Sequence, residues 1–394
     1  MKTKNYRKTL TACYLGFITQ AISANFAPLL FLTFQREYGI ALSRVALISS
    51  VFYLTQLLVD LVCTRLADRI GYRTSVVLSE LTSAVGLAGL AFVPPFFADP
   101  FDGILLCVVI YAVGSGLIEV LVSPIVEACP FENKEATMSL LHSFYCWGSL
   151  GVIVGSTLFF AVFGTEHWRV LACIWALIPL YNVYNFAVCP IERLVEEGSG
   201  MSVTELLRNK LFWLLVLLMV CAGASEMAMA QWASAFAESA LGISKTAGDL
   251  AGAGMFAATM GISRVLYGKF GERWKLTDFM VFSGALCVLC YLLASLSGIA
   301  VLSLIGCALC GFSVGIMWPG SISISASALP TGGTALFALL ALAGDLGGSA
   351  GPALVAAVSE CFGGDLKAGL LAAICFPLLL VSGVLILRKR NAKP

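Results

Sequence analysis

Apolar runs long enough to cross a bilayer occupy almost the whole chain. Twelve can be drawn, at about 9–34, 43–66, 74–96, 102–127, 137–163, 168–189, 211–239, 247–268, 277–296, 298–328, 334–360 and 366–388. A spanning helix needs about 20 apolar residues. Each run therefore predicts one helix, and the longer ones must tilt or extend past the hydrocarbon. The chain is 59% hydrophobic and 12% charged, against roughly 25% charged in soluble domains. The expected class is an all-α membrane protein. The first run is too long for a cleaved signal and lacks a small-residue cleavage site, so no signal peptide is expected.

The connections are short except for 190–210, which contains Glu192, Arg193, Glu196, Glu197, Gly198, Ser199 and Gly200. This cytoplasmic linker separates an N-terminal half, 1–189, from a C-terminal half, 211–394, with six runs in each. The pattern Gly148-x-x-Gly151-x-x-x-Gly155 in the fifth run returns as Gly344-x-x-Gly347-x-x-x-Gly351 in the eleventh, 196 residues on. Asp68-Arg69 after the second run has a counterpart in Glu272-Arg273 after the eighth, 204 residues on. Such near-equal offsets point to duplicated, pseudo-symmetric halves, an arrangement that places a substrate site near the midplane where the halves meet. The glycines also have a plainer use in letting helices pack closely. With the N-terminus inside, nineteen Lys and Arg fall on the cytoplasmic side, and only Arg36, Arg44, Arg169, Lys245 and Lys367 fall outside. That bias places both termini in the cytoplasm.

Against this background the acids inside the runs stand out. The stretch Tyr111 to Pro124 carries Gly114 and Gly116 on one thinned side of an apolar helix, and then Glu119. An acid at that depth costs at least ~2.5–3.5 kcal/mol on insertion scales and is rarely there for packing. Glu119 is read as part of a binding or proton-handling site. Glu226 in the seventh run is a second candidate. Loss of hydration disfavours the ionised form of a carboxyl, and a group brought near neutrality can carry a proton. Asp345, between Gly344 and Leu346, suits a substrate ligand or an interhelical hydrogen bond. Asp60 lies near the cytoplasmic end of its run and suits function or structural pairing; Glu80, early in the third run, reads as reaching the interface.

Other side chains fill in the site. Gln20, Asn25, Tyr53 and Gln56 can offer hydrogen bonds to hydroxyls, or join helices. His142, at the start of the fifth run, suits a proton relay or a capping role. Trp147, Trp232 and Trp318 are deep in their runs and suit stacking on a sugar or lipid-facing packing; Trp168, Trp213 and Trp274 read as interfacial belt residues. Arg264 is placed at the inner end of its run, so the expected cavity holds acids without a fixed cation. It suits a neutral polyol with a proton, or a cationic amine, better than a phosphate or carboxylate.

Several classes are excluded. There is no G-x-x-x-x-G-K-[ST] loop, so ATP is not a direct energy source. No catalytic triad or metalloprotease motif is present, and the chain is not expected to be an enzyme. No basic stripe suits nucleic acid. The 14 cysteines lie mostly in apolar runs; Cys287-x-x-Cys290 and Cys307-x-x-Cys310 lack flanking histidine, so neither a disulfide framework nor a metal is expected. No cofactor is expected. The expected partners are a small-molecule substrate, protons and the lipid bilayer, with no nucleic acid, and the expected oligomeric state is a monomer.

The segment Thr64-Arg-Leu-Ala-Asp68-Arg69-Ile-Gly71-Tyr-Arg73 resembles the loop 2–3 signature of the major facilitator superfamily, G-x-x-x-D-R-x-G-R-R, with Thr64 in place of the first glycine and Tyr72 in place of an arginine. Gly268-Lys-Phe-Gly-Glu272-Arg273 resembles its second copy. The resemblance covers the whole chain and implies twelve transmembrane helices in two six-helix halves. It also implies that Asp68, Arg69, Arg73, Glu272 and Arg273 form a conformational latch, with Asp68 facing the start of span eleven near Gly332-Gly333-Thr334, where a helix dipole favours an anion. Three further segments are similar to the fucose:proton symporter branch: Gly116-Leu-Ile-Glu119-Val-Leu-Val-Ser-Pro124, Met138-Ser-Leu-Leu-His142-Ser-Phe, and Gly223-x-x-Glu226 followed by Trp232. That resemblance implies proton coupling and substrate binding at Glu119 and a cavity-lining position for Glu226. The branch uses an aspartate in span one, where this chain has Asn25-Phe-Ala-Pro28. The expected function is proton-coupled symport of a small neutral solute, a sugar, by alternating access in a bacterial-type inner membrane. The alternatives are a proton-driven exporter of cationic or amphipathic compounds, a uniporter, and a non-transporting sensor or scramblase on the same fold.

Overall fold

The computed structural model describes residues 5–40, 42–195, 200–233, 236 and 249–391; for residues 42, 43, 45, 46, 65, 66, 68, 249, 250 and 391 it describes the backbone alone. These residues are helical almost throughout and, among them, no strand occurs. In lipid no water can satisfy a backbone amide, so a spanning segment must close its hydrogen bonds within itself. The helices are α1 (Tyr6–Leu29), α2 (Phe31–Tyr38), α3 (Leu42–Ile70), α4 (Tyr72–Phe92), α5 (Pro100–Ala128), α6 (Lys134–Phe163), α7 (Trp168–Val188), α8 (Val203–Arg208) and α9 (Lys210–Ala230). They continue as α10 (Met255–Phe270), α11 (Leu276–Leu296), α12 (Ala300–Val314), α13 (Met317–Ala328), α14 (Gly333–Cys361), α15 (Leu366–Ala372) and α16 (Cys375–Asn391).

Among the described residues, 10 helical stretches are long and apolar enough to cross a membrane, and 11 if α1 and α2, bent by 48°, count as one. Pro28, just before that bend, lacks the amide that would continue the ladder. The remaining expected run, 247–268, begins outside the described residues; its described part is a π-helical turn, Asp249–Gly254, leading into α10. The end of the seventh run, Glu196 to Ser199 in the linker, and Lys245 also lie outside the described residues.

The chain forms two compact units. One comprises Met1–Pro130, Phe144–Gly200 and Gly333–Ala338; the other comprises Phe131–Ser143, Met201–Gly332 and Leu339–Pro394. In the first unit α4 lies against α5 and α7 because small residues let the backbones meet. A Cβ on Gly86 would sit 2.6 Å from the Tyr111 amide nitrogen. Gly114 abuts Ser79 and Ser83, and the Ser79 hydroxyl donates to the Gly114 carbonyl at 2.8 Å. Gly116 faces α3, where a Cβ would lie 2.9 Å from Val59 Cβ. The two glycines before Glu119 thus seat α5 against two different helices. Phe26, Phe34, Phe52, Leu87, Tyr111 and Trp168 fill the core. The expected belt role of Trp168 is overturned. Its ring is fully buried, edge-on to Phe34 at 5.4 Å, and its indole N–H donates to Glu37 at 2.7 Å. A buried indole needs such an acceptor. Trp213 and Trp274 are exposed.

In the second unit, α9 and α14 approach backbone to backbone. Positions Gly344, Gly347 and Gly351 meet Trp318, the Val220 carbonyl and the Ala224 carbonyl, and Gly223 faces the Gly344 carbonyl. On α11 and α12, Gly306 lies on the Cys290 carbonyl, where a Cβ would be 2.9 Å away. The thiols of Cys287 and Cys310 stand 3.9 Å apart in the same seam. The first turns of α6 belong to this unit: Ser139 Oγ donates to the Arg264 carbonyl at 2.9 Å, and Gly268 packs on Leu140.

Candidate functional site

The sequence candidates gather in separate clusters within the units. In the first unit, Glu119 of α5 receives Gln20 of α1, whose Nε2 donates to Oε2 at 2.9 Å, and Gln56 of α3, whose Nε2 donates to the same oxygen. The Gln56 carbonyl oxygen in turn accepts from Ser115 at 3.3 Å. Gln56 is therefore held at both ends, and its amide nitrogen is directed at the acid. Gln20 and Gln56 are buried, and Glu119 is half-buried. The result is an acid held by neutral amides from two other helices. Asn25 lies further along α1, donating to the Ala21 carbonyl at 2.8 Å and to Ser149 Oγ at 3.1 Å. Tyr53 and Trp147 are 50% and 38% exposed.

The unexpected member of this unit is Glu80. The interface reading is overturned: Glu80 is fully buried, with Oε2 accepting from Thr19 at 2.8 Å and Oε1 from Asn182 at 2.8 Å. Thr19 and Gly16 of α1 and Asn182 of α7 lie against it. The signal for it lay in Thr19 and Asn182, two polar residues inside apolar runs. Asp60 is also fully buried.

In the second unit the expectation of acids without a fixed cation is overturned. Arg264 of α10 is buried, and its NH2 donates to Glu226 Oε2 at 3.1 Å. Its Nε donates to the Gly315 carbonyl at 2.9 Å and its NH1 to the His142 carbonyl at 3.1 Å. Two backbone carbonyls, one from α6 and one from the turn between α12 and α13, fix the guanidinium, whose delocalised, weakly hydrated charge tolerates such a site. The residue stands ten positions into a 16-residue helix, which places it well inside rather than at the end. His142 is buried beside it. Elsewhere in this unit the Trp318 ring lies on Gly344, next to the half-buried Asp345, and Trp232 donates to the Pro352 carbonyl at 3.3 Å.

The latch candidates are dispersed. The side chain of Asp68 lies outside those described. Arg69 is exposed. Gly71, at φ 87°, adopts a left-handed turn between α3 and α4 that a side chain would strain. Arg73 closes the end of α7, donating to the carbonyls of Phe186 at 2.9 Å, Ala187 at 2.6 Å and Cys189 at 2.8 Å. Those are the carbonyls a helix end leaves without partners. Tyr72, which departs from the family signature, makes the contact at the start of α14: its hydroxyl lies 2.5 Å from Thr334 Oγ1. Arg273 stands over the Phe270 ring at 5.8 Å, next to Glu272 in a short turn.

This arrangement of spanning helices with buried polar clusters is that of a multi-pass membrane protein, and the comparisons give its class. The sequence model of the Major Facilitator Superfamily matches residues 12–352, and the chain belongs to that superfamily of transporters. No curated protein matches its sequence. Among solved structures, the fold is similar to the fucose:proton symporter FucP of E. coli, with a TM-score of 0.82 and 16% identity over 96% of this chain and 98% of that one. It is similar to the proton:xylose symporter XylE, at 0.76 and 12% over 95% and 94%. It is equally similar to the human organic anion transporter TETRAN, at 0.76 and 17% over 97% and 100%. At these identities the likeness is one of fold.

Proposed function

We propose that the chain is a proton-coupled symporter of a small neutral solute, a sugar, working by alternating access. The observation that carries this reading is the Glu119 cluster, a carboxyl on which the amides of Gln20 and Gln56 converge from two other helices. Amides donate and accept as sugar hydroxyls do, and a positioned carboxyl can take up and release a proton. The fold neighbours FucP and XylE, each a sugar:proton symporter by name, favour the same reading. In this reading Gln20, Gln56 and Asn25 bind hydroxyls, and Glu119 carries the proton. Glu226, Trp232, Trp318, His142 and Asp345 are the candidates within the second unit. In this reading the termini are cytoplasmic and the membrane a bacterial inner membrane: nineteen Lys and Arg fall on the cytoplasmic side and five on the outer side.

The test is uptake of labelled monosaccharides into proteoliposomes under an imposed pH gradient. The expected result is accumulation by the native protein, and exchange without accumulation by Glu119→Gln. Accumulation that survives this change removes Glu119 from coupling. A second reading, an anionic solute, is favoured by the buried Arg264. Organic acids in the same assay decide it, since their uptake would require Arg264 and the sugars' would not.

A further inference from the structure

Glu80 is a buried acid that the proposed mechanism leaves unused. We propose that Glu80 is a second proton-binding residue of the transport cycle, serving the same helix α1 that holds Glu119; this rests on the proton-coupling reading above.

The geometry is specific. Consecutive residues of α1 serve the two acids: Thr19 donates to Glu80 and Gln20 to Glu119. Successive side chains on a helix point about 100° apart, so α1 stands between the two carboxyls. One turn earlier, a Cβ on Gly16 would lie 3.5 Å from Glu80 Oε1 and 3.2 Å from Cδ1 of Ile118, the neighbour of Glu119. Gly16 thus faces both acid-bearing helices at one level.

The partners also suit two protonation states. Asn182 uses its amide hydrogens on the Ala12 carbonyl, at 2.9 Å, and on Glu80 Oε1. An amide nitrogen only donates, so Oε1 must stay an acceptor. Thr19 is different, because a hydroxyl both donates and accepts. With Glu80 ionised, Thr19 donates to Oε2. With Glu80 protonated, Oε2–H donates to Thr19 Oγ1, and the threonine hydrogen turns to the carbonyl one turn back on its own helix, a bond threonines make readily. The proton therefore has one seat, on Oε2, and its arrival reverses a single hydrogen bond. Among the described residues no cation pairs with Glu80. The titratable group facing it from α1 is the buried Cys13. From α7 it meets Asn182, backed by Asn185 at 3.3 Å, and from α5 Ile118 stands beside the same Gly16, none of which titrates.

The experiment is infrared difference spectroscopy of the purified, reconstituted protein between two pH values, with pH-driven uptake measured in the same preparations. The expected result is a carboxylic C=O band that titrates in the native protein and in Glu119→Gln, is lost in Glu80→Gln, and shifts in Thr19→Val, which keeps the volume and removes the hydroxyl. Uptake against the gradient is lost in Glu80→Gln while exchange remains. An identical titrating spectrum in Glu80→Gln overturns the proposal. If Glu80→Gln does not fold, an unshifted spectrum and unchanged uptake in Thr19→Val overturn it. Failure of the native protein to use a pH gradient would instead sink the coupling reading, and would do so whatever the band shows.

Discussion

The repeated glycine pattern makes Gly151 and Gly347 equivalent in sequence, and the structure makes them opposites. A Cβ on Gly347 would fall on the Val220 carbonyl oxygen and lie 2.8 Å from the carbonyl carbon and 2.9 Å from the Cα. These are backbone atoms of α9, which cannot turn aside as the tip of a side chain can. Overpacking of this kind costs about 1–3 kcal/mol. A Cβ on Gly151 meets nothing within 4 Å. Both changes to alanine gain the same helix-propensity term, about 0.5–1 kcal/mol. That term cancels between the variants, so their difference in stability is the packing term alone, about 1–3 kcal/mol. Thermal melting of the two purified variants in one detergent, followed by tryptophan fluorescence, measures it. Gly151→Ala should melt at or above the native temperature and Gly347→Ala clearly below. Equal melting temperatures would refute the argument, because they would mean that the close approach of α9 and α14 is not what the glycines are for.

Two further changes read the buried polar contacts. Replacing Glu226 with leucine leaves Arg264 buried without its counter-charge and should cost about 3–5 kcal/mol; adding Arg264→Leu should recover part of that loss, and strictly additive losses in the double-mutant cycle would show that the pair does not interact. Tyr72→Phe removes the hydroxyl contact with Thr334 and should lower stability by about 1 kcal/mol, whereas an unchanged melting temperature would remove this contact from any latch.

The helices were legible because hydrocarbon allows few alternatives: a run of apolar residues long enough to span has to close its own backbone hydrogen bonds. The stretch from Gly114 to Glu119 was legible for the same reason, since each glycine and the acid break an otherwise uniform run. What could not be read was where each polar side chain points. Trp168 stands at a run boundary in the sequence, yet Glu37, 131 residues earlier, draws its indole inward. Arg264 looked like an end-of-helix cation, and only the carbonyls of Gly315 and His142, from distant segments, show it to be inside. Glu80 was misplaced because its partners, Thr19 and Asn182, come from 61 residues before it and 102 after. Depth in a run is a local property, whereas satisfaction of a buried polar group is not.

This difference bears on the duplication itself. The two units share a glycine pattern and an acid–arginine loop, but their buried acids are held in different chemical ways. Glu80 and Glu119 are held by neutral donors, from Thr19, Asn182, Gln20 and Gln56. Glu226 is held by a guanidinium that is itself tied to two backbone carbonyls. Neutralising Glu226 would leave that fixed charge buried without its partner, at several kcal/mol. Neutralising Glu80 or Glu119 leaves amides and a hydroxyl that can still bond to the acid. Under the proposed coupling, a proton would therefore come and go in the first unit without stranding these donors. In the second unit it would disturb the Arg264 pair unless a second anion took the place of the carboxylate. An anionic solute would supply such a partner and a neutral sugar would not. The response of Arg264→Gln to the two solute classes therefore separates the readings without any assumption about Glu119.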